Sequence, residues 1–148
     1  MEMTQELIQR VHNRMQWVNE LAAGTVCGDL QLKLMDYDAQ QGIFTIEGKT
    51  EPYMRNVIHT LHGGSVAILA DQAMGCIANC LFTDDNHAPT SQLTVNFHRP
   101  MTAGEGVLVQ VRIVNTSRRQ IHLQCQIFEA KAPDKLCASA TAVFFRNT

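Results

Sequence analysis

The order of apolar and polar residues predicts a helix and then a pair of strands in the first third of the chain. Apolar residues recur at helical spacing over residues 4–23, and Gly24 follows as a stop signal. Leucines alternate with polar residues over 30–34, which predicts a strand, and Ile43–Lys49 is predicted as the returning strand. A loop over residues 50–61 follows.

A long apolar segment and four alternating segments make up the rest of the chain. Residues 63–82, followed by a polar turn at 83–86, are apolar on nearly every face of a helix, which is typical of a buried helix. Four later runs each carry one apolar face: Leu93, Val95 and Phe97; Val107, Val109, Val111 and Ile113; Ile121, Leu123, Cys125 and Ile127; Ala138, Ala140, Ala142 and Phe144. Such strands, joined by short turns, indicate an antiparallel sheet with the apolar helix against it, an α+β fold.

Composition narrows the class of protein. The 148 residues suffice for one domain, which we expect to span residues 1–148. Twelve basic and 14 acidic residues argue against a nucleic-acid surface, and Asp71, Gln72 and Asn79 interrupt the one segment that approaches a membrane span. The N-terminus lacks the pattern of a signal peptide, and five unclustered cysteines favour free thiols, so we expect a cytoplasmic protein.

Asp71 is the first charged residue inside the apolar helix and therefore needs an explanation. A lone carboxylate is costly in an apolar setting unless it is paired or used. Small residues lie within about 40° of it around the helix, at Gly64, Ala67, Gly75 and Ala78. Two interpretations follow: a close packing contact with Asp71 held by a hydrogen bond, or a substrate channel beside the carboxylate.

The Gly63-Gly64 start of this helix offers a second chemical group. Backbone N–H groups at a helix N-terminus are unpaired and suit an anion or the oxyanion of an attacked carbonyl, although many helices begin with glycine for steric reasons alone. Gly63 and Asp71 are eight residues apart, roughly 12 Å along one helix. Groups that serve one carbonyl must lie within about 3 Å of the reacting atoms. If both residues are catalytic, the protein must be a dimer in which antiparallel central helices form two composite sites.

The motif order resembles that of the hotdog-fold acyl-CoA thioesterases, in their PaaI-like (phenylacetic acid degradation) branch. Asn56 is followed after five residues by His62-Gly63-Gly64, and then by Asp71 in Leu69-Ala70-Asp71. Residues 90–100 resemble the strand that follows the helix in this family. The resemblance covers about residues 28–146, behind the N-terminal helix, and implies a long helix wrapped by a curved antiparallel sheet of about six strands.

The resemblance implies hydrolysis of an acyl-CoA thioester, with no metal and no cofactor other than the CoA of the substrate. It implies that Asp71 acts as general base or nucleophile and that the Gly63 N–H polarises the carbonyl. The other residues that it implicates orient the thioester or water, or assist Asp71: Asn56, His62, Gly64, Thr90 and, as second choice for the assisting hydroxyl, Ser91. A homodimer, paired into a dimer of dimers, is implied as well.

Several interpretations stay open at this point. Arg118 and Arg119 are solvated turn residues or contact the phosphates of coenzyme A. The spacing of His59 with His62 is compatible with metal binding, but no full ligand set lies nearby in the sequence. Two other functions suit the same fold: a hydratase or dehydratase that pairs His62 with a carboxylate, and a non-catalytic acyl-CoA-binding module. The identity of the acyl group is not determined by the sequence.

Overall fold

The computed structural model describes residues 2–82 and 87–146, with side chains from residue 4 onward, so the predicted turn at 83–86 lies outside the described residues. The helices are α1 (Glu2–Leu21), α2 (Val26–Asp29) and α3 (Gly63–Leu81), and a 3-10 turn spans Pro52–Met54. The strands are β1 (Lys33–Asp38), β2 (Ile43–Lys49), β3 (Thr90–Phe97), β4 (Gly106–Thr116), β5 (Gln120–Glu129) and β6 (Leu136–Phe145).

The six strands form one antiparallel sheet in the order β1-β2-β4-β5-β6-β3. Side chains alternate between its two faces, so that Ile121, Leu123, Cys125 and Ile127 of β5 are all buried. This apolar face packs against α3, which contacts β3, β4, β5 and β6. The predicted hotdog arrangement, with a long helix wrapped by an antiparallel sheet, is confirmed.

The apolar composition of α3 reflects its place inside the sheet. Nine of its residues are buried: Val66, Leu69, Ala70, Ala73, Met74, Cys76, Ile77, Ala78 and Cys80. The helix is long and apolar enough to cross a membrane, but half of its apolar window is buried within the protein. A core helix and a membrane-spanning helix have similar compositions. Each forms its backbone hydrogen bonds internally and presents apolar side chains around most of its circumference.

The N-terminal helix lies against the end of α3. Val11 and Met15 of α1 are buried in the core. The Arg10 guanidinium donates to the carbonyl oxygen of Phe82 at 2.9 Å and also to that of Cys80. Because the last carbonyls of a helix are unpaired and carry partial negative charge, a cation at this position stabilises the C-terminus of α3. Arg10 thus fixes α1 next to the second half of α3.

The segment before β1 differs from the prediction. Leu30 and Leu32 are buried, but neither is in a strand: Leu30 caps the short helix α2, and β1 begins only at Lys33. Thr25 explains the helical turn, because its Oγ1 accepts a hydrogen bond from the Gly28 N–H at 3.3 Å. Gln31 has a φ of +46°, which breaks an extended chain. Alternating burial here results from loop packing rather than from a pleated strand.

Truncation of a core side chain on α3 tests this packing. Leu69 is 0% exposed, so Leu69→Ala should lower the free energy of unfolding by about 2–5 kcal/mol, through lost apolar burial and a residual cavity. Val57 is 94% exposed, and Val57→Ala should change the stability by less than about 0.5 kcal/mol. Urea denaturation measures both variants. Equal losses of stability would contradict the packing described for α3.

Candidate active site

Asp71 lies half-buried on α3 and is held by a residue of the neighbouring strand. The Thr90 hydroxyl donates to Asp71 Oδ1 at 2.6 Å. Thr90 is the first residue of β3, and the pairing register of β3 with β6 shifts between Thr90 and Gln92. An irregularity of this kind re-aims a side chain relative to a regular strand. Among residues 2–82 and 87–146, no donor reaches Asp71 Oδ2, so one carboxylate oxygen is held and the other is open.

The carboxylate borders a small cavity of about 170 Å³, which we call the Asp71 pocket. Its walls include Arg14 and Val18 of α1, Asp71 and Gly75 of α3, Thr90 of β3 and Phe144 of β6. A Cβ atom on Gly75 would lie 3.4 Å from Phe144 Cε1, so glycine allows the close approach of helix and sheet at this point. The N-terminal helix is therefore part of the wall beside the carboxylate.

The N-terminus of α3 presents one unpaired amide. His62 is the N-cap residue, and its Nδ1 accepts a hydrogen bond from the Gly64 N–H at 2.9 Å. Within the described part of the chain, the Gly63 N–H has no partner. The Gly64 amide is thus occupied, and Gly63 supplies the donor at the positive end of the helix dipole. The Phe97 ring lies beside it, since a Cβ on Gly63 would be 3.4 Å from Phe97 Cζ.

Asn56 shapes the loop that leads to this amide. Its Oδ1 accepts from the Ile58 N–H at 3.1 Å and the Thr60 N–H at 3.0 Å, and its Nδ2 donates to Thr60 Oγ1 at 2.7 Å. Asn56 and Gly63 line the same cavity of about 330 Å³, the Gly63 pocket, together with Phe97. The polar atoms of Asn56 hold the loop, and its predicted role toward a thioester stays a prediction.

Gly63 and Asp71 border different pockets of one chain, as their separation of roughly 12 Å along α3 requires. The stripe of small residues around Asp71 is only partly covered by its own chain at Ala67 and Gly75. Ala78, predicted as the end of this stripe, is instead fully buried. Ala78 faces the core because burial by the rest of the chain is more complete at this end of α3.

Three other predicted residues lie away from the carboxylate. The Ser91 hydroxyl donates to the Val143 carbonyl at 3.1 Å, so Thr90 alone supplies the hydroxyl on Asp71. Arg118 and Arg119 are exposed in the turn between β4 and β5, and their carbonyls accept from Arg146. They line neither the Gly63 pocket nor the Asp71 pocket, so a contact with substrate phosphates needs an assembly that brings this turn to a site.

The buried cysteines are poor nucleophiles. Burial raises the pKa of the Cys76 thiol to about 12 and that of the Cys80 thiol to about 11. Nearly all of both thiols is therefore protonated at neutral pH, whereas the thiolate is the reactive form. Within the described ranges, no three His, Cys, Asp or Glu side chains come together as a metal site would require. The Asp71 carboxylate is the better placed group for chemistry.

Sequence reasoning missed the contribution of α1 to the Asp71 pocket. Arg14 and Val18 are four residues apart and share one face of α1, yet their pattern is that of any amphipathic helix. Nothing in the sequence indicates where on the sheet and α3 that helix packs. In the Gly63 pocket the structure adds His98 and Arg99, which follow β3.

Comparison with known proteins places these features in context. Residues 59–138 match the family model described as "Thioesterase superfamily", a range that contains Gly63, Asp71 and Thr90. Acyl-coenzyme A thioesterase THEM4 from Bos taurus is 27% identical over 96 residues, 64% of this chain but only 37% of that protein. The chain thus spans little more than a third of the length of this curated relative.

Solved structures show the same architecture. A mutant of the phenylacetic acid degradation protein PaaI from Thermus thermophilus is 26% identical, with a TM-score of 0.64 over 78% of this chain and 93% of that one. A protein from Streptococcus mutans bound to acetyl-CoA is 20% identical, with a TM-score of 0.65 over 77% and 86% of the two chains. The second likeness concerns the fold alone.

Removal of the Asn56 side chain tests its role in the loop. Asn56→Ala should speed hydrogen exchange at the Ile58 and Thr60 amides, because both lose their acceptor. Asn56→Asp keeps that acceptor and should leave the two rates close to those of the native chain. Residue-resolved exchange by NMR makes the comparison. Unchanged protection in Asn56→Ala would show that other contacts hold the loop.

Proposed function

The chain belongs to the thioesterase superfamily, as its resemblance to PaaI-like hotdog enzymes predicted, and we propose that it hydrolyses an acyl-CoA thioester to a free carboxylic acid and coenzyme A. The observation that carries the proposal is the half-buried Asp71 carboxylate, which Thr90 holds by one oxygen beside a cavity. The name of the THEM4 relative and the acetyl-CoA bound by the structural neighbour support the substrate class.

The reaction needs a donor for the carbonyl oxygen and an acceptor for the proton of water. The Gly63 N–H donates to the thioester oxygen and stabilises the negative charge that develops there, an effect typically worth about 10²–10³ in rate. Asp71 takes a proton from water while the water oxygen attacks the carbonyl carbon, a general-base effect of about 10²–10⁴. The C–S bond then breaks, and the coenzyme A thiolate leaves and is protonated.

A second route uses the same residues. Asp71 attacks the carbonyl carbon itself, the thiolate leaves, and water hydrolyses the resulting anhydride. Thr90 orients the carboxylate in either route, because its hydroxyl fixes Oδ1 and leaves Oδ2 without a donor among the described residues. The two routes make the same demand on position: Asp71 and a Gly63 amide must face one carbonyl carbon.

Two subunits meet this demand where one chain does not. Asp71 lies on a partly uncovered face of α3, and β3 next to it is an edge strand that pairs only with β6 among the described strands. A second copy with its central helix antiparallel brings Gly63 of the partner subunit to Asp71. Burial of the helix face and the strand edge against the partner supports a homodimer with two sites. Pairing of two such dimers is a further part of the proposal.

The two pockets divide the substrate between them. Arg99 and His98 line the Gly63 pocket, and a guanidinium group suits the phosphates of coenzyme A. We therefore assign coenzyme A to the Gly63 side of the composite site and the acyl group to the Asp71 pocket. The acyl group then meets the wall that α1 contributes.

The Asp71→Asn variant tests the proposal. Asparagine keeps the shape and an oxygen that accepts from Thr90, so fold and dimer should persist, while kcat with a saturated acyl-CoA should fall by about 10²–10⁴. Release of free thiol measures turnover, and size-exclusion chromatography measures assembly. Near-normal turnover in the variant would remove Asp71 from the mechanism. Absence of thiol release by the wild-type protein across a panel of acyl chain lengths would favour a binding module instead.

A further inference from the structure

Arg14 is the one cation among the described residues on the wall of the Asp71 pocket. It lies half-buried on α1, one helical turn after Arg10, but its contacts differ from those of Arg10. Arg10 is committed to the last carbonyls of α3. Arg14 Nη2 lies 3.2 Å from His87 Nδ1, and its guanidinium stacks 5.1 Å from the centre of the Trp17 ring.

The guanidinium of Arg14 has N–H donors without acceptors among the described residues. Its Nε–H is buried and has no hydrogen-bond partner. No carboxylate within the described ranges lies within 4.0 Å of it. An arginine side chain has five N–H donors in a planar fork that matches a carboxylate, and buried polar groups in native proteins are nearly always paired. Arg14 Nη1 has no hydrogen-bond partner among the described residues either, and a guanidinium with available donors on the wall of a cavity suits a carboxylate ligand.

The charge of Arg14 reaches a thiol on the wall of the same pocket. Burial raises the pKa of the Cys76 thiol, which lines the same pocket, and the nearby Arg14 charge opposes that rise. Asp71 lies on the same wall but forms no ion pair with Arg14. The pocket therefore holds a fixed cation that the Asp71 carboxylate does not neutralise by direct contact.

We propose that Arg14 binds a carboxylate at the end of the acyl chain, so that the preferred substrates are CoA thioesters of short dicarboxylic acids. The inference rests on the proposed function and on the assignment of the acyl group to the Asp71 pocket. A second carboxylate in a pocket that already contains Asp71 would be repelled unless a cation pairs with it. Arg14 supplies that cation, and a neutral acyl chain leaves it unpaired.

The volume of the pocket favours a short acyl chain. At about 30 Å³ for a water-sized group, a cavity of about 170 Å³ holds between five and six such groups. The acyl group of a five-carbon diacid monothioester is of this size, with the thioester carbonyl beside Asp71 and the free carboxylate at Arg14. Charge-assisted bonds of this type should favour the diacid chain by about 10-fold to 100-fold over a neutral chain of equal length.

Equilibrium binding of two CoA thioethers, which cannot be hydrolysed, tests the inference independently of turnover. S-(4-carboxybutyl)-CoA should bind the wild-type protein at least 10-fold more tightly than S-pentyl-CoA. Arg14→Gln should abolish this preference by weakening only the carboxybutyl compound, and Arg14→Lys should keep part of it. Arg112→Gln is the matched control and should leave the ratio unchanged, because Arg112 is exposed on β4 and lines neither the Asp71 pocket nor the Gly63 pocket. No preference in the wild type, or an equal loss for both compounds in Arg14→Gln, would overturn the inference.

Hydrolysis kinetics separate this inference from the proposed function. Arg14→Gln should raise KM for glutaryl-CoA about 10-fold more than KM for pentanoyl-CoA, with similar effects on the two values of kcat. The same split should persist with N-acetylcysteamine thioesters, which lack phosphates. A loss seen with both CoA thioesters but with neither truncated thioester would instead assign Arg14 to the CoA phosphates. If the wild type hydrolyses none of these compounds, the proposed function fails, while the thioether ratio still decides the role of Arg14.

Discussion

The hydrogen bond between Thr90 and Asp71 joins the core helix to the edge of the sheet at the only charged residue of that helix. A carboxylate on an apolar helix is costly unless it keeps access to water or to a partner. This chain provides both: the hydroxyl holds one oxygen, and the adjacent cavity leaves the other open. The irregular start of β3 lies at Thr90, which holds this carboxylate, and Gly75 allows the close approach of helix and sheet beside the same cavity.

The partly uncovered face of α3 also fits a proposed hydrolysis that needs two chains. The unpaired amide of Gly63 and the carboxylate of Asp71 lie on one rigid helix, and no side-chain rotation changes their separation. An edge strand with unpaired backbone groups beside a half-covered helix is normally protected or covered in a native protein. In the proposed dimer, a symmetric partner covers both features at once and brings the Gly63 amide of one helix to the Asp71 carboxylate of the other. In this proposal, the uncovered face of α3 is the reason both for assembly and for a site shared by two chains.

Most helices and strands of the fold were predictable from the sequence, because they depend on the local periodicity of apolar residues. The alternating runs of β4, β5 and β6 and the apolar length of α3 specify their elements directly. The separation of Gly63 from Asp71 follows from helical rise alone. The strand predicted over residues 30–34 was wrong at Leu30 and Leu32, because alternating burial also arises in a packed loop. Their conformation depends on a capping hydroxyl and on one residue with positive φ, which periodicity does not reveal.

The contribution of α1 was not predictable for a different reason. Arg10 and Arg14 look equivalent on a helical wheel, and only the docking of α1 on α3 distinguishes a residue that caps carbonyls from one that faces a cavity. Asn56 shows a second role that the motif did not reveal, since its Oδ1 accepts from two loop amides and its Nδ2 donates to Thr60, while its contact with substrate stays a prediction. Tertiary packing decides which polar groups remain available for chemistry.

Complementation between two inactive variants tests the shared site most directly. Gly63→Pro removes the amide donor, and proline is well tolerated at the first position of a helix after the extended backbone of His62, whose ψ is 135°. Gly63→Ala keeps the N–H and controls for the added Cβ atom. Gly63→Pro and Asp71→Asn should each be nearly inactive alone. Mixed dimers, purified through two different tags, contain one intact pair and should recover about half of the wild-type turnover. Mixed dimers as inactive as their parents would contradict a site built from two subunits.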